Sequence, residues 1–134
     1  KVGKIHCRQT TRTFPILKSQ QRGQQTEFLA CQHLKQQGLQ FITQNYHCAM
    51  GEIDLIMTSK NLLIFIEVRY RKNDSFGSAA ASVTRKKQQK IIQTAQLFLL
   101  ENSEYHNHDC RFDVMAMSPH GQGYRYDWIQ GAFE

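Results

Sequence analysis

Two acidic residues lie in the middle of apolar runs, where burial is expected. Asp54 interrupts the run at 51–56, and Glu67 interrupts the run at 64–69. Ile, Leu, Val and Phe dominate both runs, and the polar residues at 59–61 are few enough for a hairpin between two strands. Carboxylates that lie close together away from water repel each other. The two acids are therefore candidates for a shared chemical role.

The register of this hairpin decides whether the two acids meet. A two-residue turn at 60–61 pairs Asp54 with Glu67 and separates apolar from charged side chains, whereas a three-residue turn places Asp54 beside Ile66. We therefore expect the two-residue turn, in which paired Cβ atoms lie roughly 5 Å apart and like charges are destabilising. One face then holds Ile53, Leu55, Met57, Leu62, Ile64, Ile66, Val68 and Tyr70. The other holds Glu52, Asp54, Glu67, Arg69 and Arg71.

A divalent cation would relieve this repulsion. Mg²⁺ (or Mn²⁺) takes carboxylate oxygens and commonly shares its ligand shell with water and substrate phosphate, so Asp54 and Glu67 are candidate metal ligands. The alternative is a solvated network of ion pairs among Glu67, Arg69 and Arg71 on an exposed sheet face, which is the commoner situation for charged strands. Spacing alone leaves both interpretations open.

The length and composition of the chain indicate one globular domain. Its 134 residues are 40% hydrophobic, which is enough for a core. The sequence contains neither an apolar run long enough to cross a bilayer nor the apolar segment of a signal peptide, so we expect a cytoplasmic protein without a membrane partner. The four cysteines include no C-x-x-C pair, which argues against a disulfide framework or a zinc knuckle.

The distribution of basic residues is more informative than the net charge of +6. Residues 1–22 contain six basic residues and no acid, and the other 11 basic residues balance the 11 acids. We predict a mobile basic arm at 1–22 and a single domain at 23–134. A second basic cluster indicates an anionic partner such as nucleic acid, with a solvated face as the alternative. This cluster consists of Arg69, Arg71, Lys72, Arg85, Lys86, Lys87 and Lys90.

Periodicity and capping residues predict the element order α-β-β-β-α-β-β. The first helix carries the stripe Phe28, Cys31 and Leu34, and Glu27 at its border either leans toward a sheet or simply favours the helix dipole. Basic residues in the first turn of the second helix oppose the dipole but lie where exposed N–H groups can donate hydrogen bonds to a phosphate. The helices are expected at about 24–37 and from Ser82 or Thr84 to Leu100, and the strands at 39–47, 51–56, 64–69, 110–117 and 124–129.

Several segments together carry a resemblance that spans about residues 23–133. They are Gly23-x-x-x-Glu27, Gly51-Glu52-Ile53-Asp54-Leu55-Ile56, Phe65-Ile66-Glu67-Val68-Arg69-Tyr70-Arg71, Phe76-Gly77, Ala81-Ser82-Val83-Thr84-Arg85-Lys86-Lys87-Gln88, Arg111-Phe112-Asp113-Val114 and Trp128-Ile129. In these segments the chain resembles the YraN-like proteins, an uncharacterised bacterial group whose fold is like that of PD-(D/E)XK nucleases and archaeal Holliday-junction resolvases. The resemblance implies an α/β, restriction-endonuclease-like core with a mixed central sheet of about five strands flanked by helices.

The resemblance also implies a nuclease-like site. Asp54 and Glu67 would bind Mg²⁺, Glu27 would assist from the first helix, and Lys87 and Gln88 would support the site from the second. In nucleases of this type the residue two positions after the Glu is usually Lys.

This chain has Arg69 at that position, and an Arg is effectively always protonated. Arg69 therefore cannot serve as a general base, although it can orient phosphate and stabilise developing charge.

The implied activity is metal-assisted hydrolysis of phosphodiester bonds in branched or single-stranded DNA. Two other interpretations compete with it: a nucleic-acid-binding module that does not cleave, and a protein-interaction module whose acids form only ion pairs. A homodimer is compatible with all three. The residues expected to contact nucleic acid are Arg71, Lys72, Arg85, Lys86 and Lys90.

Overall fold

The computed structural model describes residues 18–72 and 78–134. Its elements are α1 (Lys18–Gln36), β1 (Gln40–Cys48), β2 (Gly51–Ser59), β3 (Leu62–Tyr70), α2 (Arg85–Glu101), β4 (Asp109–His120) and β5 (Gly123–Phe133), with short 3₁₀ turns at Ala80–Ser82 and Ser103–Tyr105. The predicted α/β class and element order are confirmed. Residues 1–17 of the predicted arm, and Phe76-Gly77, lie outside the described residues.

The largest differences from the predicted boundaries are in α1, β4 and β5. α1 begins at Lys18 instead of near Gln24. β4 continues past Met117 to a hairpin tip at which His120 pairs with Gly123, and β5 continues past Ile129 to Phe133. A two-residue turn with Gly121 at φ 60° suits the twist of a hairpin, so backbone pairing continues to this tip.

The five strands form one mixed sheet in the order β1-β2-β3-β4-β5. Only β3 and β4 are parallel, and α2 makes the crossover between them. The predicted register of the β2–β3 hairpin is confirmed, since Ser59 pairs with Leu62 around a two-residue turn. The last regular pair is Leu55 with Ile66, so the predicted pairing of Asp54 with Glu67 is not formed, and both acids lie one residue beyond the end of the ladder.

Helices cover both faces of the sheet, so the predicted separation into an apolar face and a charged face is wrong. Side chains alternate between the two faces along a strand. The β3 side chains on both faces are therefore buried over most of the strand. The core between the sheet and α1 contains Ala30, Cys31, Leu34, Leu55, Met57, Ile64, Ile66, Met115 and Met117. The core between the sheet and α2 contains Ile53, Ile56, Leu63, Phe65, Val83, Ile91, Ala95, Phe98 and Val114.

The alternation of β2 breaks at Asp54. Ile53 packs on the α2 side together with Ile56, whereas Leu55 packs on the α1 side. The prediction that Ile53 and Leu55 share a face is therefore wrong. The β1–β2 register is the same on both sides of Asp54, but Asp54 and the facing Asn45, which has φ 53°, are missing from the regular pairs. Beyond the last β2–β3 pair, Asp54 accepts a hydrogen bond of 2.8 Å from the backbone N–H of Val68 through its Oδ2.

α1 lies on the sheet through a stripe that differs from the predicted one. Thr26, Ala30 and Leu34 are buried at a spacing of four residues, and Phe28 is 58% exposed, so its assignment to the apolar stripe is wrong. Glu27 lies beside the buried stripe and reaches the sheet. Gly38, at φ 101°, follows the end of the helix as expected of a C-terminal cap.

α2 is positioned by its cap and by a close contact with β2. The predicted N-cap is confirmed, because the Oγ1 of Thr84 accepts a hydrogen bond of 3.1 Å from the N–H of Lys87. A Cβ at Gly51 would lie 3.0 Å from the Oγ1 of Thr94 and 3.3 Å from the carbonyl oxygen of Lys90. The absence of a side chain at Gly51 therefore allows α2 to approach the sheet closely.

A fully buried carboxylate holds β4 and β5 together. Asp113 accepts hydrogen bonds from Nε and Nη2 of Arg111 at 2.8 and 2.9 Å, from Nε1 of Trp128 at 2.8 Å and from the N–H of Gly131 at 2.9 Å. Gly131 has φ 63°, and the β4–β5 register shifts between Phe112 and Val114. The carboxylate therefore replaces strand pairing at this bulge.

Two further observations concern the part of the chain that the structure describes. None of its helices is long and apolar enough to cross a membrane. Its cysteines, Cys31, Cys48 and Cys110, are free, which agrees with the expected absence of a disulfide framework.

The substitution Asp113→Ala should lower the free energy of unfolding by about 3–5 kcal/mol, because it leaves the Arg111 guanidinium and two N–H donors without their acceptor. Urea denaturation measures this loss. Asp109→Ala, an exposed change at the start of the same strand, should stay within about 0.5 kcal/mol of the wild type. Equal losses in the two variants would contradict the role assigned to Asp113.

Candidate metal centre

Carboxylates from three different elements act on one another at the end of the β2–β3 ladder. Glu27 comes from α1, Asp54 from β2 and Glu67 from β3. Burial raises the pKa of Glu27, and the negative charges of Glu52 and Glu67 raise it further. Hydrogen bonds from Asn45 and Asp54 to Glu27 act in the opposite direction. The hairpin register and the break at Asp54 thus bring the predicted acids together.

Asp54 is the most perturbed member of this carboxylate cluster, which comprises Glu27, Asp54 and Glu67. Burial, followed by the charge of Glu67, raises the pKa of Asp54 from 3.8 to about 8. The hydrogen bond from the N–H of Val68 offsets part of this effect. Without a cation, Asp54 therefore carries a proton at neutral pH, which a cation bound here would displace.

Glu67 is buried, with 6% of its side chain exposed, and two cations face the same oxygen. The Nζ of Lys87 lies 3.4 Å from its Oε2, and the Nε of Arg69 lies 3.6 Å from it. The alternative, an exposed ion-pair network among Glu67, Arg69 and Arg71, is therefore only partly correct. Arg69 does pair with Glu67, but Glu67 is buried and its second partner is Lys87 instead of Arg71. The Nε of Arg69 is itself buried and has no hydrogen-bond partner among the described residues.

Gln88 and the residues predicted to contact nucleic acid make no ion pair or hydrogen bond with the carboxylate cluster among the described residues. The Nε2 of Gln88 donates a hydrogen bond of 3.0 Å to the carbonyl oxygen of Val83, so its amide supports the turn before α2. The Nη1 of Arg71 donates a hydrogen bond of 3.4 Å to the carbonyl oxygen of Ser78. The residues that are exposed to solvent are Lys72, Arg85, Lys86 and Lys90.

Two neighbours of the cluster were not singled out by sequence patterns. Asn45 lies in β1 with φ 53°, and its side chain lowers the pKa of Glu27. Glu52 adds negative charge near Glu27 and Asp54. A non-glycine residue in the left-handed region is a signal of a constrained site, but φ is visible only in the folded chain.

The donor set has the chemistry that Mg²⁺ or Mn²⁺ prefers. Asp54 and Glu67 offer carboxylate oxygens from adjacent strands, and Glu27 offers a third carboxylate. In residues 18–72 and 78–134 no three His, Cys, Asp or Glu side chains already stand together as a metal-binding group. Mg²⁺ commonly takes only one or two carboxylates and completes its shell with water and substrate phosphate, so the pair Asp54 and Glu67 fits it.

The pH dependence of stability tests the environment of Asp54. The pKa of Asp54 is raised in the folded state, so the protonated carboxyl favours folding. This contribution to the free energy of unfolding is complete below about pH 3.8 and is lost as pH rises through about 8. In EDTA, the Tm of Asp54→Asn should rise relative to the wild type between pH 5 and pH 8, by about 5 °C or more. Thermal denaturation at several pH values measures this difference. The exposed change Asp109→Asn should show no such trend, and a constant difference for Asp54→Asn would contradict the assignment.

Comparison with known proteins relates the chain to a single family. Residues 26–117 match the family described as "Uncharacterised protein family UPF0102". A UPF0102 protein of Saccharophagus degradans is 55% identical over 118 residues, which cover 88% of this chain and 97% of that protein. UPF0102 proteins of Alcanivorax borkumensis and Vibrio campbellii are 46% and 48% identical, and the matches cover 97% and 95% of their lengths.

Proposed function

The chain belongs to the uncharacterised protein family UPF0102, and on that premise we propose that it is a nucleic-acid-binding protein with a Mg²⁺-dependent phosphodiester-hydrolysing site. The observation that carries the proposal is the convergence of Glu27, Asp54 and Glu67 from three elements, with Arg69 and Lys87 beside Glu67. A purely structural carboxylate cluster would be fully hydrogen-bonded, as Asp113 is. Asp54 instead has a strongly raised pKa.

The acidic residues would hold the metal, and Mg²⁺ would supply a polarised water and a clamp for the phosphate. Asp54 and Glu67 would be the direct ligands because they lie on adjacent strands that diverge at this point. Glu27 would accept hydrogen bonds from water on the side toward α1. Loss of the Asp54 proton would accompany metal binding, so affinity for Mg²⁺ should increase up to about pH 8.

Arg69 and Lys87 would act on the phosphate and not on the metal. The side chain of Arg69 is 30% exposed, so its guanidinium can meet an incoming phosphate oxygen while its buried Nε faces Glu67. The strand position two residues after Glu67 holds Arg69 and therefore lacks an ammonium. Lys87 would supply one, since its Nζ lies 3.4 Å from the Oε2 of Glu67. An ammonium can exchange a proton, whereas a guanidinium cannot. Lys87 is therefore the better candidate for proton transfer.

The basic residues around the cluster would bind the remaining nucleic-acid backbone. Arg85 and Lys86 are exposed in the first turn of α2, next to Lys87. Free N–H groups at this helix terminus favour phosphate, which explains positive side chains in a position where the helix dipole disfavours them. DNA is the partner that the resemblance to nucleases favours.

A second candidate function is binding of nucleic acid without cleavage. It is favoured by Arg69 at the position where nucleases of the resembling type have Lys. In that case the carboxylates and cations would hold a metal and phosphate, and no bond would break. Cleavage and binding assays separate the two candidates.

The substitutions Glu67→Ala and Asp54→Ala should each lower Mg²⁺-dependent cleavage of a branched or single-stranded DNA by at least about 100-fold, because each removes a metal ligand. Gel analysis of a labelled substrate measures cleavage. Glu104→Ala, an exposed acid beyond the far end of α2, should retain wild-type activity. Two results would contradict the proposed site. One is wild-type cleavage that is as fast in EDTA as in Mg²⁺, and the other is cleavage by both ligand variants at the wild-type rate.

Affinity for single-stranded DNA should fall as the salt concentration rises, and the slope of log affinity against log salt should be smaller in magnitude for Lys86→Gln by about 0.7. Fluorescence anisotropy at several salt concentrations measures the slopes. Wild-type binding without cleavage would select the second candidate. Absence of both would leave only the protein-interaction module, for which Mg²⁺ should not change the Tm.

A further inference from the structure

A cleft of about 440 Å³ lies over the last part of β4 and the first part of β5. Arg71, which follows β3, and the segment that precedes α2 also border it, and its lining includes Arg71, Ser78, Ala116, Ser118, Arg125 and Asp127. Its volume falls in the range of sites for small molecules and is too small to admit a paired duplex. None of the residues predicted from sequence explains the β4 and β5 side of this cleft.

Strand register places the cleft on the same sheet face as Glu67. Glu67 pairs with Val114, and two residues further along β3 Arg69 pairs with Ala116, which in turn pairs with Asp127 of β5. Paired residues of neighbouring strands point to the same face. The row of Arg69, Ala116 and Asp127 therefore follows the row of Glu67, at about 7 Å along the strand.

The cleft exists because small residues lie on this part of the sheet. Ala116 and Ser118 occupy the β4 positions that follow Val114 on the same face, and Val114 packs in the core under α2. Beyond the start of α2, β4 has no large side chain that fills the space over Ala116 and Ser118. Cations stand at its border: Arg125 pairs with Ser118 across the sheet, and Arg71 donates a hydrogen bond to Ser78.

The basic and acidic side chains of the cleft occupy different positions. Arg71 and Arg125 lie at the border, where they can make paired hydrogen bonds to a phosphate. Asp127 lies in the row of Ala116, and its carboxylate repels phosphate but accepts hydrogen bonds from amino groups of a base or from a sugar hydroxyl. Within the described part of the chain no ion pair joins Asp127 to Arg125 or Arg71. Both charge types are available to a ligand.

We propose that this cleft binds one unpaired nucleotide of a nucleic-acid strand whose neighbouring phosphate lies at the carboxylate cluster. Arg125 and Arg71 contact the phosphate of this nucleotide, and Asp127 and Ser118 contact its base or sugar. The proposal rests on the proposed function and gives a structural reason why its substrate would be single-stranded or locally unpaired nucleic acid. A base within a duplex cannot reach the row of Ala116 without leaving its stack, which disfavours intact duplex.

Two variants test the cleft through charge and through volume. Arg125→Gln removes one phosphate contact, and Ala116→Leu fills the cleft without changing charge. Lys60→Gln is the matched control, because Lys60 lies in the β2–β3 turn at the opposite end of β3 from Arg71 and carries the same charge. The probes are a fluorescein-labelled 20-nucleotide single strand and the blunt duplex of the same sequence, with Ca²⁺ in place of Mg²⁺. Thermal denaturation verifies that each variant is folded.

Arg125→Gln should weaken binding of the single strand by about tenfold, and binding of the duplex by less than about twofold. Ala116→Leu should weaken binding of the single strand to a similar extent and leave its salt dependence unchanged. Lys60→Gln should match the wild type with both probes. Such a pattern supports the cleft as the site of an unpaired nucleotide.

Failure of this inference is distinct from failure of the proposed function. Wild-type protein that binds neither probe would overturn both. Wild-type binding with Arg125→Gln indistinguishable from Lys60→Gln would overturn only the cleft. An equal loss of single strand and duplex in Arg125→Gln would also overturn it, because Arg125 would then be an ordinary phosphate contact. If Ala116→Leu does not fold, the comparison of Arg125→Gln with Lys60→Gln still decides the result, because Arg125 is exposed and its substitution does not alter the core.

Discussion

The ion pairing of Glu67 is the interaction on which the arrangement of the site depends. A carboxylate with 6% of its surface exposed is costly to bury without partners, and here one partner comes from its own strand and the other from α2. Lys87 therefore joins the beginning of α2 to β3, while Gly51 allows the body of α2 to lie close to β2. The position of the helix and the charge of the site are thus set by the same contacts.

Two acidic residues of this protein show how differently a fold can treat an acid. Asp113 receives four hydrogen bonds at 2.8–2.9 Å and joins β4 to β5, which is the full satisfaction expected of a structural group. Asp54 receives one backbone hydrogen bond and is surrounded by other acids, so its charged form is disfavoured. Such incomplete compensation is typical of positions that bind a cation or exchange protons. The contrast separates the acid that stabilises the fold from the acid that we propose as a metal ligand.

Much of the fold could be predicted because its signals are local. The hairpin turn at 60–61 and Thr84, one of the two expected N-caps, were correct, since each depends on neighbouring residues and on alternation along the strand. The stripe of α1 was wrong at Phe28 because several helical faces fit a short polar helix, and only contact with the sheet selects one. Ile53 was misplaced because an alternating pattern contains no indication that the alternation breaks within a strand.

The sequence by itself determined the chemical types of the site: two carboxylates in strands, an arginine two residues beyond Glu67, and basic residues at the start of α2. It also determined the hairpin register that brings the carboxylates near each other. Only the tertiary structure decided that Glu67 is buried, that Lys87 and not Arg71 faces it, and that Ala116 leaves a cleft beside Arg125. These features join residues distant in the chain, whose proximity depends on the β3–β4 crossover and on how closely α2 packs.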